Sequence, residues 1–268
     1  MNGVERITVD GLEIAYTASG QGPVLLLLHA FPLNQRMWDP QLEGLADHAH
    51  VVTLDLPGFG SSQTTDGEMT VDGLADVVHH AMEALGHGRY VVGGLSMGGY
   101  VALALARRHP EALRGLVLAD TRAAADSAEV RAGREALAQR VTEEGVEDLA
   151  ASFPGRAMAA ATRVERPALV ATVVEWARAV RPPVAAGALR MMASRPDATP
   201  LLPHLAMPVL AVVGEGDALT PPEEMEGLAA AVPLGTISRL PAAGHLSNLE
   251  QPEAFNQAVG AFLEALPP

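Results

Sequence analysis

Cysteine is missing from this chain, and so is lysine: all 18 basic residues are arginine. Without a thiol there is no disulfide, thiolate metal site, iron–sulfur cluster or cysteine nucleophile. Without an ε-amino group there is no P-loop lysine, pyridoxal Schiff base or Ser–Lys dyad. Long apolar stretches are equally scarce. The longest strongly apolar run, Val24 to Leu28, has five residues, against the ~20 that a membrane helix needs. The opening MNGVERITVDGLEIAY lacks the basic and apolar regions of a signal peptide, so a cytoplasmic protein with no membrane segment is expected. A formal net charge of -14 repels phosphate backbones, and no basic stripe with interleaved aromatics offsets it, so nucleic acid is not an expected partner.

What is there suffices for a large core, since 49% of the 268 residues are hydrophobic and only 19% charged, far from disordered composition. Short apolar runs alternate with amphipathic segments, the pattern of a mostly parallel sheet covered by helices. Val4–Val9 and Leu12–Ala18 flank Asp10-Gly11, a hairpin signal that makes them an antiparallel pair. Val24–Leu28, Val51–Leu54, Tyr90–Val92 and Leu116–Leu118 read as buried parallel strands, and after Pro208 the pattern resumes with Val209–Val213 and Thr236–Leu240. Leu74, Val77, Val78, Ala81, Met82 and Leu85 form one helical face, stopped by Gly86. Met97 to Arg108 is a second helix, and Phe255, Val259, Phe262, Leu263 and Leu266 are the stripe of a last one. From about Thr121 to Pro200 the chain turns to Ala, Arg, Glu and Met, with helix-like stretches broken at Gly133, Gly145, Pro154, Pro167, Pro182 and Pro183. The expected organisation is an α/β core of residues 1–120 and 201–268, interrupted by a helical insertion of residues 121–200.

Gly94-Leu95-Ser96-Met97-Gly98 matches G-x-S-x-G at a strand-to-helix junction, with Gly99 following. A serine on so sharp a turn needs small neighbours, because a Cβ beside it would collide as the backbone reverses. Serine is a weak nucleophile until a base takes its proton, and the base needs an acid to orient it. On such an elbow the acid and then the base lie downstream. Asp217, in Gly214-Glu215-Gly216-Asp217 directly after a strand, can face the same sheet edge and is better placed than Glu215. His245, in Pro241-Ala242-Ala243-Gly244-His245 between the last strand and the last helix, suits the base. Asp120, at another strand end, is the competing acid. The oxyanion of acyl transfer needs two backbone N–H donors, for which Met97 and Phe31 are the candidates; Pro32 has no N–H to give.

Leu28-His29-Ala30-Phe31-Pro32, Asp55-Leu56-Pro57-Gly58-Phe59-Gly60-Ser61-Ser62, Gly94 to Gly99, Gly214 to Asp217 and Gly244-His245 occur in that order. Together they resemble the α/β-hydrolase superfamily across the whole core, most densely its esterase and enol-lactonase branch. The resemblance implies an eight-stranded, mostly parallel sheet with helices on both faces. It also implies a helical cap at the insertion, a triad of Ser96, Asp217 and His245, and a His29 that holds loop backbone. Ala30 stands where the family usually has Gly, so the oxyanion loop must adopt a conformation open to an L-residue. The expected reaction is cleavage of a small carboxylic ester or lactone through an acyl-enzyme on Ser96, with no cofactor. A perhydrolase or C–C bond hydrolase would use the same triad, and a slow-turnover ligand receptor would keep the same fold. Serine at position 96 disfavours an Asp-nucleophile dehalogenase. Trp38, near the oxyanion loop, and Met158, Trp176, Met191 and Met192, in the insertion, are candidate pocket residues. His79 and His80 point about 100° apart on a helix and cannot share a metal, so no metal site is expected.

Overall fold

The computed structural model describes residues 3–65 and 67–267. Strand β1 (Glu5–Val9) turns into β2 (Leu12–Ser19) through Asp10 and Gly11, both at positive φ (50° and 81°), the pairing a two-residue hairpin of right-handed twist requires. There follow β3 (Val24–Leu28), the short helix α1 (Asp39–Gly44), β4 (His50–Leu54), α2 (Val71–Ala84), β5 (Tyr90–Leu95), α3 (Met97–Arg108) and β6 (Leu113–Ala119). The segment between β6 and the next strand is helical: α4 (Ala128–Glu144), α5 (Glu147–Ala157), α6 (Ala160–Glu165), α7 (Pro167–Arg178), α8 (Pro182–Ser194) and a 3-10 turn. The chain closes with β7 (Val209–Gly214), α9 (Pro222–Ala231), β8 (Gly235–Leu240), α10 (Ser247–Glu250) and α11 (Pro252–Ala265).

The strands form one open eight-stranded sheet in the order β1-β2-β4-β3-β5-β6-β7-β8. β1 and β2 pair antiparallel, as do β2 and β4; every pairing from β4 through β8 is parallel. This is the α/β-hydrolase arrangement. The two-residue period of a strand sends alternate side chains to opposite faces, and two cores result. Leu26, Leu28, Val92, Leu116, Leu118 and Val213 join Leu74, Val78 and Met82 of α2 and Leu228 of α9 on one face. Leu25, Leu27, Val91, Val117 and Val212 join Leu42 of α1 and Phe255, Val259 and Leu263 of α11 on the other. Strands buried on both faces read as continuous apolar runs, which is why these were visible in sequence. Among the described residues, no helix is long and apolar enough to cross a membrane.

Two of the expected helix breaks are not breaks. Gly133 lies inside α4 and Pro154 inside α5. A helical glycine costs only about 1 kcal/mol relative to alanine, and nothing at Gly133 demands a positive φ. Pro154 falls in the last turns of α5 and is buried there, so packing offsets its missing N–H. Gly145 does end α4, at φ 87°, while Pro167 and Pro182 open α7 and α8, where a proline loses no hydrogen bond.

Candidate active site

Because β3 and β5 through β8 are parallel, the loops after them leave from one edge of the sheet, the edge where open α/β sheets hold their ligands. Phe31, Ser96, Asp120, Asp217 and His245 all lie in or beside those loops. Ser96 sits between β5 and α3 at φ 54° and ψ -111°, a conformation that costs a non-glycine residue roughly 1–3 kcal/mol. The surroundings hold it there. Its N–H donates to the Ala119 carbonyl at 2.9 Å, and the Thr121 hydroxyl donates to its carbonyl at 2.8 Å. A Cβ on Gly94 would strike the Gly98 backbone, one on Gly98 the Leu28 carbonyl, and one on Gly99 the Thr121 side chain. The three glycines thus answer to close approach, since none of them has a positive φ. The turn also leaves Met97 at the first position of α3, where an N–H has no intrahelical acceptor.

Asp217 and His245 are each 4% exposed. The Asp217 carboxylate accepts from the N–H groups of Leu219 at 2.8 Å and Thr220 at 2.9 Å through Oδ1, and meets His245 Nδ1 through Oδ2 at 2.8 Å. That leaves Nε2 of the imidazole to accept a proton. Asp120, the competing acid, is engaged elsewhere. It is fully buried, accepts from the Gly214 N–H at 2.9 Å and takes the Ser247 hydroxyl on its other oxygen. Burial, reinforced by the charge of Asp217, pushes its carboxyl well above the usual carboxylate range. Its hydrogen bonds fasten the end of β7 to the start of α10.

His29 is fully buried; its Nδ1 lies 3.0 Å from the Ala30 carbonyl, and its Nε2 accepts from the Leu56 N–H at 3.0 Å. Burial holds its pKa below the ordinary histidine value. The ring therefore clamps the β3 loop to the loop after β4. Ala30 adopts no left-handed conformation, so its Cβ is tolerated, and the Phe31 N–H has no protein acceptor among the described residues. Asp55 accepts from the N–H groups of Gln35 and Ser61, both at 2.8 Å, and a Cβ on Gly60 would strike its carboxylate, which makes this motif a turn.

Ser96 and His245 open on one cavity of about 460 Å³. Phe31 and Tyr100 line it from the core; Leu137 of α4, Phe153 of α5, and Leu189 and Met192 of α8 line it from the inserted helices. Of the five residues expected in the pocket, only Met192 lines this cavity. Trp38 is completely buried, packed on Phe255 with ring centroids 5.7 Å apart. Trp176 faces the core side of α7 with Arg36 over its ring. Met158 belongs to the same core as Trp38, and Met191 to the core on the opposite face of the sheet. Met191 and Met192 point about 100° apart on α8, and of the two Met192 lines the cavity. Sequence reading missed Tyr100, Phe153 and Leu189, and with them Arg122, Arg134, Arg140 and Arg156, which also line it. The stride of α4 through Gly133, Leu137 and Arg140 was the available signal.

The His245 loop is tied to the inserted helices by one carboxylate. Glu250, 4% exposed, accepts from the Gly244 N–H at 2.9 Å, the Ala159 N–H at 2.8 Å and the Thr162 hydroxyl at 2.7 Å. Away from this edge, His79 stacks on His109 at 3.9 Å and 14° between planes, with Glu111 nearby. Parallel rings send their lone pairs side by side instead of toward a common point.

The sequence profile of the α/β hydrolase fold family matches residues 23–252. The chain belongs to this family. This α/β hydrolase is similar to 3-oxoadipate enol-lactonase 2 of Acinetobacter baylyi, at 30% identity over 97% of the chain and 96% of that protein. Among solved structures it matches a thermophilic esterase from Thermogutta terrifontis with a TM-score of 0.94 and 40% identity, covering 98% of both chains. The enol-lactonase from Burkholderia xenovorans matches with a TM-score of 0.90 at 28% identity, over 97% of this chain and all (100%) of that one.

Proposed function

We propose that this α/β hydrolase cleaves a small carboxylic ester or lactone through an acyl-enzyme on Ser96. The observation that carries the reading is that Ser96 and His245 face one largely apolar cavity while Asp217 holds the far nitrogen of the imidazole. In this mechanism His245 Nε2 takes the Ser96 proton as Oγ attacks the substrate carbonyl. The oxyanion that forms is met by the N–H groups of Phe31 and Met97, and their charge-assisted bonds strengthen as negative charge develops. His245 then returns the proton to the departing alcohol. Water, deprotonated by the same imidazole, attacks the acyl-serine and releases the acid. No step calls for a cofactor. Residues 1–120 and 201–268 supply this chemistry, and residues 121–200 act as a cap that shapes the acyl or alcohol pocket.

The test is multiple-turnover release of nitrophenol from a panel of short acyl esters, with lactone opening followed in parallel and an acyl adduct on Ser96 sought by mass spectrometry. Sustained turnover with a trapped acyl group supports the reading. A single stoichiometric burst would favour a ligand receptor on the same fold.

A further inference from the structure

Four of the 18 arginines, Arg122, Arg134, Arg140 and Arg156, line the cavity that holds Ser96, and no aspartate or glutamate lines it. In a chain of net charge -14, such a concentration of one sign at one site asks for a partner. Two of the four already have a carboxylate partner. Arg122 pairs with Glu224 at 3.2 Å and donates to the Leu219 carbonyl; Arg134 pairs with Asp126 at 2.6 Å, an aspartate shared with Arg195 at 2.7 Å. Arg140 on α4 and Arg156 on α5 have no ion pair or hydrogen bond among the described residues. Arg140 and Arg156 also line a neighbouring surface depression together with Glu144 and Asp148, yet neither carboxylate comes within ion-pair distance of them. Partial burial, with the charge of Arg140 as the smaller cause, disfavours the charged form of Arg156. Apart from the arginines, the cavity wall presents Phe31, Leu137, Phe153, Leu189 and Met192.

Resting on the Ser96 reading, we propose that Arg140 and Arg156 form an anion subsite, so that the preferred ester or lactone carries a carboxylate at the end of an apolar arm. A guanidinium fork matches a carboxylate bidentately, and both arginines are exposed enough for a substrate anion to reach them. The apolar wall then accommodates the methylenes between the scissile carbonyl and the anion. An anion at this place also relieves the repulsion between two cations held side by side.

The experiment compares kcat/KM for three 4-nitrophenyl esters of similar length: the glutarate half-ester, the 4-phosphonobutyrate and the neutral hexanoate. The wild-type ratio of glutarate to hexanoate should exceed one and fall as NaCl is raised from 20 to 500 mM, because a partly exposed charge pair is screened. In the double variant Arg140→Gln with Arg156→Gln the ratio should drop roughly ten- to a hundred-fold, the loss of charge-assisted hydrogen bonds. Arg131→Gln, on α4 but outside the cavity, should leave it in place. A phosphonate preferred over the glutarate would overturn the assignment to a carboxylate. Hydrolysis of the neutral ester with a ratio at or below one, or one indifferent to the double variant, overturns the subsite and leaves the Ser96 reading standing. No hydrolysis of any ester and no fluorophosphonate labelling overturns both.

Discussion

Ser96 occupies a strained position whose cost is met by its neighbours, and its side chain makes no packing contribution comparable to theirs. Ser96→Ala should therefore abolish ester hydrolysis, by ~10³-fold or more, and abolish fluorophosphonate labelling, while the melting temperature stays nearly unchanged. A variant that still takes the label has another nucleophile. The two aspartates separate in the same way. Asp217→Asn should lower kcat by ~10³–10⁴-fold, because it presents the wrong partner to His245 Nδ1, whereas Asp120→Asn should change kcat far less. Asp120 has its own signature in stability. Its raised carboxyl keeps a proton in the folded chain that the unfolded chain loses near pH ~4. Its contribution is complete below that pH and declines as pH rises toward the folded value. Asp120→Asn preserves the acceptor for Gly214 and does not titrate, so its melting temperature should gain on the wild type between pH 4 and pH 8. A difference independent of pH would mean that Asp120 is ionised in the fold.

At the scale of elements, the short helix α10 does more than connect β8 to α11. Through Glu250 it binds the His245 loop and the start of α6 to one carboxylate. Gln at this position offers a single acceptor and turns an N–H₂ toward other donors. Glu250→Gln should cost about 2–3 kcal/mol in urea unfolding, the range for charged hydrogen bonds lost with a donor left buried. It should also lower kcat more than it raises KM, since the loop it misplaces carries His245, the proposed base, while the apolar wall of the cavity comes from other elements. Equal stability in the variant would mean that water replaces the carboxylate. The elbow makes a simpler case: the Leu28 carbonyl leaves no room for a side chain at Gly98, so Gly98→Ala requires β3 and α3 to separate.

For the whole molecule, the proposed reading assigns chemistry to the loops of the sheet edge and substrate preference to the inserted helices. α4 packs on α8 and α5 on α7, and the two pairs bring Leu137, Phe153, Leu189 and Met192 to the cavity from different directions. Phe153→Ala and Met192→Ala should each shift relative kcat/KM among acyl esters by roughly 1–3 kcal/mol. Phe153 and Met192 share those cores with Met158, Trp176 and Met191, but the latter three do not line the cavity, so replacing them should lower stability and leave the order of preferred esters intact. Altered preferences in those three variants, with Phe153 and Met192 neutral, would place the specificity pocket elsewhere.

Local chemistry made much of this legible in the residues themselves. The central strands were visible because strands buried on both faces are continuously apolar, β1 and β2 because Asp10-Gly11 marks a hairpin, and the elbow because Gly94, Gly98 and Gly99 leave room for its close approaches. Asp217 and His245 stood out because a polar residue just past a parallel strand reaches the same edge as every other. The helices offered less. α4 runs through the exposed Gly133 because a single helical glycine costs only about 1 kcal/mol, and α5 through Pro154 because its burial offsets the missing N–H. Which large side chains face the cavity was not decided by residue type at all: Trp38 and Met191 are as apolar as Phe153 and Met192, and only the rotation of each helix against its neighbours separates wall from core. The same holds for the arginines. In sequence they are scattered solvent-facing charges, and the packing of α4 and α5 over the sheet edge is what brings Arg134, Arg140 and Arg156 to the cavity that Arg122 lines from the loop after β6.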